Sequence, residues 1–565
     1  MLTPWGETLD PARPLPEYPR PQLARDSYLN LNGPWSYAIT RSAQRPDNAD
    51  GEILVPFSPE SALSGVGHTL RPDEYLWYIR AFTLPEGFNR GRVLLHFGAV
   101  DQIATAWCNG AELATHTGGY LPFTVELTDV LAAENTIMVC VRDRSDTVPD
   151  ARGKQRLKPG GIWYPAQSGI WQTVWLESVP RNFIRGLKIT PLLDDACVEI
   201  TVRGRGQCVM ELLGRHYRFA AGTPARVPVP NVIPWTPERP VLYPFSVRLD
   251  EDEVYSYFAM RKCTVEKDAH GVTRLFLNNK PYFHNGVLDQ GYWSDGLYTA
   301  PDDAAMLHDI ETARAMGFNM LRKHMKIEPD RWYYHCDRLG MLVWQDMPCG
   351  GGRYDPFVVS APLVTRRHLD DSRYALFGRD SAAGRRTFLN ELRQMVAALY
   401  NHPSIVLWVP FNEGWGQFDS FTAAQAIREY DRTRVIDPAS GWHDQGFGDV
   451  QSLHVYFRKF RFAPDKLGRA VLLSEFGGCT HRVKGHAKRG KAFGYRRCST
   501  PAALEKALRT LYRGQIHPAR EQGLAAAVYT QLSDVETELN GLLTYDRRET
   551  KLSPETVRGI VTGEA

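Results

Sequence analysis

The stretch from Ser404 to Gln417, SIVLWVPFNEGWGQ, constrains the fold of this chain more than any other. Its first half is an almost unbroken apolar run rich in β-branched and aromatic residues, which is typical of a strand buried on both faces in a parallel sheet. The run stops at Asn412 and Glu413, so a carboxylate follows the strand at its carboxyl end. Loops at that end carry the reacting groups in (β/α)8 barrels. The stretch therefore predicts a barrel strand that presents a functional carboxylate.

A second apolar strand further along the chain, from Ala470 to Ser474, ends in the same way at Glu475. Two carboxylates at the ends of two parallel strands can face one gap, and retaining glycoside hydrolysis uses such a pair about 5–5.5 Å apart. One carboxyl donates a proton to the leaving oxygen, and the other attacks the anomeric carbon. The order along the chain does not say which is which. We expect Glu413 and Glu475 to be the catalytic pair.

Length and composition exclude several classes of protein. A chain of 565 residues is too long for one core, so two to four domains are expected. The 67 basic and 64 acidic residues give a net charge of +3, which favours neither nucleic acid nor an anionic membrane as partner. No apolar run is long enough to span a bilayer, and no secretory signal is visible.

The nine cysteines show neither CxxC pairs nor zinc-ligand spacing, which is typical of free thiols in a reducing compartment. Nothing in the chain has the pattern of a metal-binding loop. We therefore predict a soluble cytoplasmic protein that needs no metal and no other cofactor. The sequence leaves homo-oligomerisation open.

The chain changes character twice. From Tyr28 to about residue 177, short alternating segments separated by Gly, Pro and Asn109-Gly110 turn signals predict an all-β sandwich. Residues 181–264 again alternate as strands do, over a span that fits a small immunoglobulin-like sandwich. From about residue 265, strands alternate with helical segments, which predicts βα units around a parallel sheet.

Within this last region the pattern predicts helices over 304–316 and 331–339, the second ending before Gly340. A strand near Arg434 to Asp437 is weak by pattern alone. The segment 350–385 follows the third strand and is rich in Gly and Pro. A loop of that length in a compact domain is usually functional, so we expect it to wall a substrate cleft.

The pair Asn412-Glu413 closing a buried strand, with Glu475 later, resembles the retaining glycosidases of glycoside hydrolase family 2, which contains β-galactosidases, β-glucuronidases and β-mannosidases. The phrases LNGPW (31–35), WYIRAF (77–82) and SGIWQTVWLE (168–177) resemble the N-terminal jelly roll of that family. The resemblance implies a multidomain fold. It comprises a Pro-rich arm with a jelly-roll "sugar-binding" domain over 1–180, an immunoglobulin-like β-sandwich over 181–264, and a catalytic TIM barrel over 265–565.

The resemblance also implies residue roles, with Glu413 as acid/base, Glu475 as nucleophile and Asn412 as ligand to the sugar 2-hydroxyl. In relatives the loop equivalent to 160–168 approaches the barrel mouth, so Trp163 and Gln167 are candidates to touch substrate. The other expected substrate-binding residues lie at strand ends or next to them: Arg322, His324, Lys326, Asp289, Asp346, Trp415, Trp442, His454, Tyr456, Glu538 and Asn540.

Residues Arg322, His324 and Lys326 alternate after the second barrel strand, so the pattern predicts that their side chains point the same way. The usual family motif there is Arg-x-x-His. This chain departs from it, because only one residue separates Arg322 from His324.

The identity of the sugar depends on one further pair. β-Glucuronidases carry Asn-x-Lys near the last barrel element, and this chain has Glu538-Leu-Asn540 at that place. Because a Glu would repel a uronate, a neutral sugar is predicted, with galactose as the default. A β-glucuronidase, β-galacturonidase or β-mannosidase of the same family is the alternative. An alternative from another functional class is a non-catalytic carbohydrate-binding scaffold. The absence of Glu413 or Glu475 would have favoured that interpretation.

Overall fold

The computed structural model describes residues 1–363, 365 and 367–564. It has the predicted multidomain architecture, with β-sandwich sheets in the first half of the chain and a parallel barrel in the second. Within the described ranges, no helix is both long and apolar enough to cross a membrane.

The N-terminal region packs a four-stranded sheet against a six-stranded sheet around a buried core that includes Trp35, Leu95 and Val139. The predicted hairpin is confirmed. Its two-residue loop, Asn109-Gly110, has positive φ at both positions, as a tight hairpin turn requires. In sheet order, the strands are Tyr28–Asn30, Val174–Val179, Arg92–Phe97 and Phe123–Glu126, and then Gly51–Val55, Gly33–Thr40, Tyr75–Phe82, Asn135–Arg142, Ile103–Cys108 and Ala111–Thr117.

The middle region also has two antiparallel sheets and its own core, centred on Ile200, Met210 and Val247. The strands are Gly186–Leu192, Cys197–Arg203 and Ala225–Pro228 in one sheet, and Arg215–Ala220, Gln207–Leu212, Tyr243–Leu249 and Asp252–Phe258 in the other. Arg261 ties this region to the barrel by donating hydrogen bonds to the carbonyls of Pro403 and Ile405, at the start of a barrel strand. Three strands, Cys263–Lys267, Thr273–Leu277 and Lys280–Pro281, then lead into the barrel.

Eight parallel strands form the barrel, and neighbours are paired in the order β5-β4-β3-β2-β1-β8-β7-β6. They are β1 His284–Asp289, β2 Met320–Lys323, β3 Leu342–Asp346, β4 Ile405–Val409, β5 Val435–Ile436, β6 Val450–Val455, β7 Ala470–Gly477 and β8 Ala526–Thr530. The short β5 explains why the sequence pattern there is weak. Strands β4 and β7 are buried along their whole length, as the unbroken apolar runs predict.

Helices surround these strands: Asp303–Ala315, Asp330–Leu339, Ala382–Leu399, Ser420–Tyr430, Pro501–Leu511, His517–Gln522 and Pro554–Thr562, with shorter turns at Pro4–Glu7 and Pro356–Val359. The two predicted helices are confirmed to within one residue at each end. Asp302 caps the first through a hydrogen bond from the amide of Ala305, and Gly340 ends the second in the left-handed conformation.

Candidate active site

The ends of β4 and β7 bring Glu413 and Glu475 together in a buried gap. A carboxylate oxygen of one lies within 4.8 Å of a carboxylate oxygen of the other. This is the close spacing expected of a retaining pair, about 5–5.5 Å between carboxyl groups. His454, at the end of β6, bridges them, with Nδ1 2.8 Å from Glu413 Oε1 and Nε2 3.6 Å from Glu475 Oε1.

Glu413 is held in a strained backbone conformation. Its φ is +51°, in the left-handed region that residues with a side chain rarely adopt. The strand ladder ends in a hydrogen bond from the amide of Glu413 to the carbonyl of Ser440, 2.9 Å away. Such strain concentrates at functional sites because surrounding contacts must impose it. Here it turns the carboxylate from the strand into the gap shared with Glu475.

The two carboxyls have opposite electrostatic environments. Burial raises the pKa of Glu413, the His454 hydrogen bond opposes this shift, and the charge of Glu475 adds to it. Burial would also raise the pKa of Glu475, but the charges of His454 and Arg322, with a hydrogen bond from Tyr456, lower it overall. The two shifts favour the protonated form of Glu413 and the ionised form of Glu475, which are the forms that an acid and a nucleophile require.

Arg322 organises the floor of the site. Its guanidinium is fully buried and donates to Asp346 Oδ2 at 3.0 Å, to Glu475 Oε1 at 3.2 Å and to Asn412 Oδ1 at 2.9 Å. His324 Nδ1 lies 2.8 Å from Asp346 Oδ2, and burial lowers the pKa of His324 well below its usual range. These residues therefore form one connected polar network around Glu475.

Asn412 has an unused donor in this network. Its Oδ1 accepts from Arg322, whereas its buried Nδ2 has no hydrogen-bond partner within the described part of the chain. Buried polar groups are nearly always satisfied, so a free amide beside the two carboxyls is prepared for a ligand. A sugar hydroxyl has the chemistry to accept this hydrogen bond.

The expectation that Lys326 points the same way as Arg322 and His324 is wrong. Met325, between His324 and Lys326, has a φ of +52°, which breaks the alternation of an extended strand. The Lys326 ammonium turns away, donating to Glu328 and to the carbonyls of Gly291 and Tyr298.

Asp289, at the end of β1, is likewise engaged with structural partners. Its Oδ2 accepts from Lys323 Nζ at 2.6 Å, and its Oδ1 accepts from the amide of Gly291 at 2.9 Å. Lys323 also bonds Glu328 at 2.7 Å. Lys323, which stands between Arg322 and His324 in the sequence, therefore points away from those two side chains and pairs with Asp289 and Glu328.

Glu538 and Asn540 are both buried and hydrogen-bonded within the chain. Tyr164 of the N-terminal domain donates to Glu538 Oε2 at 2.5 Å, and Asn540 Nδ2 donates to Glu538 Oε1 at 3.1 Å. Gln531, which follows β8, donates to Asn540 Oδ1 at 2.8 Å. Gln167 Oε1 accepts from the amide of Tyr298 at 2.9 Å, whereas its buried Nε2 has no hydrogen-bond partner within the described residues.

Aromatic side chains wall the gap. Trp415, just after Glu413, packs against Trp163 with ring centroids 5.0 Å apart and against Tyr354 at 6.3 Å. Tyr354 belongs to the long excursion after β3, which therefore lines this wall. Trp442 lies with its ring centroid 6.2 Å from that of His454. The Tyr456 hydroxyl donates a hydrogen bond to Glu475.

Lys154 is a site residue that the sequence reasoning missed. Its ammonium lies 5.4 Å from the ring centroid of Tyr164 and 5.9 Å from that of Trp415, and the residue is 6% exposed. Its charge acts on Glu413 and on Asp346, lowering the pKa of each against the effect of burial. Four lysines are this deeply buried in the described chain, and the other three, Lys323, Lys326 and Lys551, all have carboxylate partners. The Lys154 ammonium has no hydrogen-bond or ion-pair partner within the described residues.

The segment that carries Lys154 is wedged into the barrel mouth. A Cβ on Gly153 would lie 2.3 Å from the Tyr298 hydroxyl and 2.9 Å from the carbonyl of Met325, so only glycine fits there. The amide of Tyr164 donates to the carbonyl of Lys154, and the amide of Gly350 donates to the carbonyl of Arg152. The N-terminal domain thus completes the site. The only sequence signal is a basic run in a loop, which is usually a solvated face.

The trio Glu413, His454 and Glu475 also offers metal-ligand atoms within 4.8 Å of one another. The guanidinium of Arg322 lies 3.2 Å from Glu475 Oε1 and supplies the positive charge at that point. A divalent cation among these ligands would be repelled at close range by Arg322. The donor set therefore fits proton and carboxylate chemistry better than metal binding.

Two regions of this chain match models of one protein family. Residues 271–467 match the TIM barrel domain of glycosyl hydrolases family 2, and residues 68–180 match the sugar binding domain of the same family. The two matches cover the barrel through β6 and most of the N-terminal sandwich.

Two curated relatives carry different names. A β-galactosidase of Thermoanaerobacter pseudethanolicus is 22% identical over 446 residues, covering 73% of this chain and 55% of the relative. A β-glucuronidase of Canis lupus familiaris is 24% identical over 452 residues, covering 70% of this chain and 65% of the relative. The chain thus spans 55% of the length of the first relative and 65% of the length of the second.

Two solved structures share the fold over almost the whole length of both chains. A β-D-glucuronidase of Dictyoglomus thermophilum superposes with a TM-score of 0.74 at 16% identity, covering 96% of this chain and 98% of that one. A β-galacturonidase of Eisenbergiella tayi superposes with a TM-score of 0.71 at 19% identity, covering 97% and 99%.

Proposed function

The chain belongs to glycoside hydrolase family 2, and from this premise we propose that it is an exo-acting retaining β-glycosidase. It hydrolyses terminal β-linked sugars through a covalent glycosyl-enzyme intermediate. One observation carries the proposal: two buried carboxyls, with pKa values shifted in opposite directions, lie within 4.8 Å at one end of the barrel.

The proposed chemistry assigns one role to each carboxyl. Protonated Glu413 donates to the glycosidic oxygen while ionised Glu475 attacks the anomeric carbon, and the aglycone leaves. Glu413, now a base, then takes a proton from the water that releases the sugar. The free amide of Asn412 binds the sugar 2-hydroxyl, a contact that strengthens as the transition state forms. The wall of Trp163, Trp415 and Tyr354 closes one side of the gap, which suits removal of a terminal sugar.

For the sugar, we propose a neutral β-glycoside, with a β-galactoside as the first candidate. The support is Glu538 and Asn540, which stand where β-glucuronidases have Asn and Lys. A uronate carboxylate facing Glu538 would be repelled and left without its usual cation, at a cost of several kcal/mol or more. Relatives named β-galactosidase and β-glucuronidase are about equally similar to this chain, so they do not choose between the sugars.

A second candidate, a β-glucuronide or β-galacturonide, is favoured by Lys154. Its unpaired ammonium, whose charge acts on Glu413 and Asp346, would replace the missing lysine as partner for a uronate. Lys326, the other cation considered for that role, is neutralised by Glu328.

The test is to compare kcat/KM for nitrophenyl β-galactoside, β-mannoside, β-glucuronide and β-galacturonide on one preparation. We expect the galactoside to give the highest value. A higher kcat/KM for either uronide would refute the proposed preference for a neutral sugar. Lys154 would then be the cation that binds the uronate carboxylate. Failure to hydrolyse any glycoside would favour the non-catalytic scaffold.

A further inference from the structure

The loops after β6 and β7 are strongly and uniformly basic. Residues 457–463 contain three Lys or Arg, residues 482–497 contain seven, and neither segment contains an acidic residue. All ten of these cations are exposed: Arg458, Lys459, Arg461, Arg482, Lys484, Lys488, Arg489, Lys491, Arg496 and Arg497. The whole chain has a net charge of only +3, so the rest of it is net acidic. We call these two segments the basic rim.

The basic rim is continuous with the proposed active site. Tyr456, whose hydroxyl donates to Glu475, stacks on Tyr495 with ring centroids 3.8 Å apart. Arg496 and Arg497 follow Tyr495 directly, and Phe457 follows Tyr456. Phe457 contacts the ring of Tyr495 at 5.5 Å and is itself 64% exposed. The cations therefore begin two residues after Tyr456, which contacts Glu475, and one residue after Tyr495, which stacks on Tyr456.

Some of the rim cations are engaged by groups of the chain itself. Lys488 pairs with Glu536, and Arg482 donates to the carbonyls of Lys488 and Gly490. Across the described ranges, no acidic side chain pairs with a set of five rim cations: Lys484, Arg489, Lys491, Arg496 and Arg497. Positive charges concentrated at the mouth of a cleft repel one another and attract polyanions.

Resting on the proposed glycosidase function, we propose that the basic rim binds the acidic remainder of the substrate, a chain of uronic acid residues attached to the terminal sugar. The terminal sugar enters the site, so the polymer that continues onto the rim is a glycan. Guanidinium groups, which six of the ten rim residues carry, match the geometry of carboxylates. Exposed Phe457 offers a flat apolar face for a sugar ring between these charges.

The experiment measures binding and turnover separately. A fluorescein-labelled short oligogalacturonide is titrated with wild-type protein and with a variant in which Arg489, Lys491, Arg496 and Arg497 are all changed to Gln. We expect the variant to bind about tenfold more weakly or worse, since each exposed charge pair contributes little but four act together. Raising the ionic strength should weaken binding by the wild-type protein and reduce the difference in affinity between wild type and the rim variant.

A matched control removes four exposed cations from other regions: Arg215→Gln, Arg218→Gln, Arg248→Gln and Lys267→Gln. It should bind the oligogalacturonide as wild type does. A smaller variant, Lys484→Gln with Lys491→Gln, avoids the short strand at Arg496–Arg497 and should weaken binding in the same direction. Turnover of a nitrophenyl glycoside, whose aglycone is too small to reach the rim, should be unchanged in all three variants.

Equal binding by the rim variant and the control would overturn the proposal. So would equally tight binding of a neutral galactan oligosaccharide of the same length, or of a single-stranded DNA of matched charge. Because binding is read without turnover, inactivity on nitrophenyl glycosides would refute the proposed function and leave this result standing on its own.

Discussion

Substituting Lys154 by Met tests whether the N-terminal domain contributes directly to substrate binding. The ammonium has no partner within the described residues, so its hydrogen bonds are free for a substrate oxygen. A hydrogen bond from a charged group contributes about 1.5–3 kcal/mol. Lys154→Met should therefore lower kcat/KM by about tenfold to 150-fold.

In contrast to activity, the thermal stability of the protein should not fall in Lys154→Met. Removing an unpaired buried ammonium relieves its desolvation, and Met keeps an apolar chain against the rings of Tyr164 and Trp415. We expect the thermal midpoint to stay level or rise. Lys323→Met is the matched control, because Lys323 is equally buried but pairs with Asp289 and Glu328. Its loss should cost about 3–5 kcal/mol of stability.

The pH dependence gives a third readout. The positive charge of Lys154 lowers the pKa of Glu413. Without it, the protonated form of Glu413 persists to higher pH, so the alkaline limb of kcat/KM should move upward. The assay combines pH profiles of nitrophenyl glycoside hydrolysis with thermal unfolding of both variants. Wild-type kcat/KM with an unmoved limb, or a stability loss as large as in Lys323→Met, would show that Lys154 is only structural.

Three further predictions concern the carboxyls. Glu475→Gln should abolish turnover, since it removes the carboxylate proposed to attack the anomeric carbon. Azide rescue of Glu475→Gly should give an inverted product, and a retained product would exchange the two roles. Glu413→Ala should slow glycosides with poor leaving groups by about 10²–10⁴-fold and spare those with good ones, as a comparison of alkyl and dinitrophenyl glycosides would reveal. Tyr456→Phe removes a hydrogen bond that lowers the pKa of Glu475. Because Glu475 acts ionised, the acidic limb of kcat/KM should then move to higher pH, and an unmoved limb would contradict the assignment.

The sequence alone predicted the multidomain fold and the strands that carry the two carboxyls. Strands β4 and β7 are local apolar runs, and burial on both faces of a parallel sheet requires such runs. Glu413 and Glu475 could be nominated because each run stops abruptly at a carboxylate. The end of the second helix before Gly340 was equally visible, since a C-cap depends on the residue at one position.

Only the tertiary structure decided which strand-end groups face one another. The left-handed φ of Met325 turns Lys326 away from Arg322, and no periodic pattern shows a single reversed dihedral angle. Lys154 reaches Glu413 and Asp346 across a domain boundary, although more than 150 residues of chain separate it from either. Its place depends on the close approach of Gly153 to Tyr298 and Met325. Periodicity and capping are local properties of the chain, whereas charge complementarity between domains exists only after the domains have packed together.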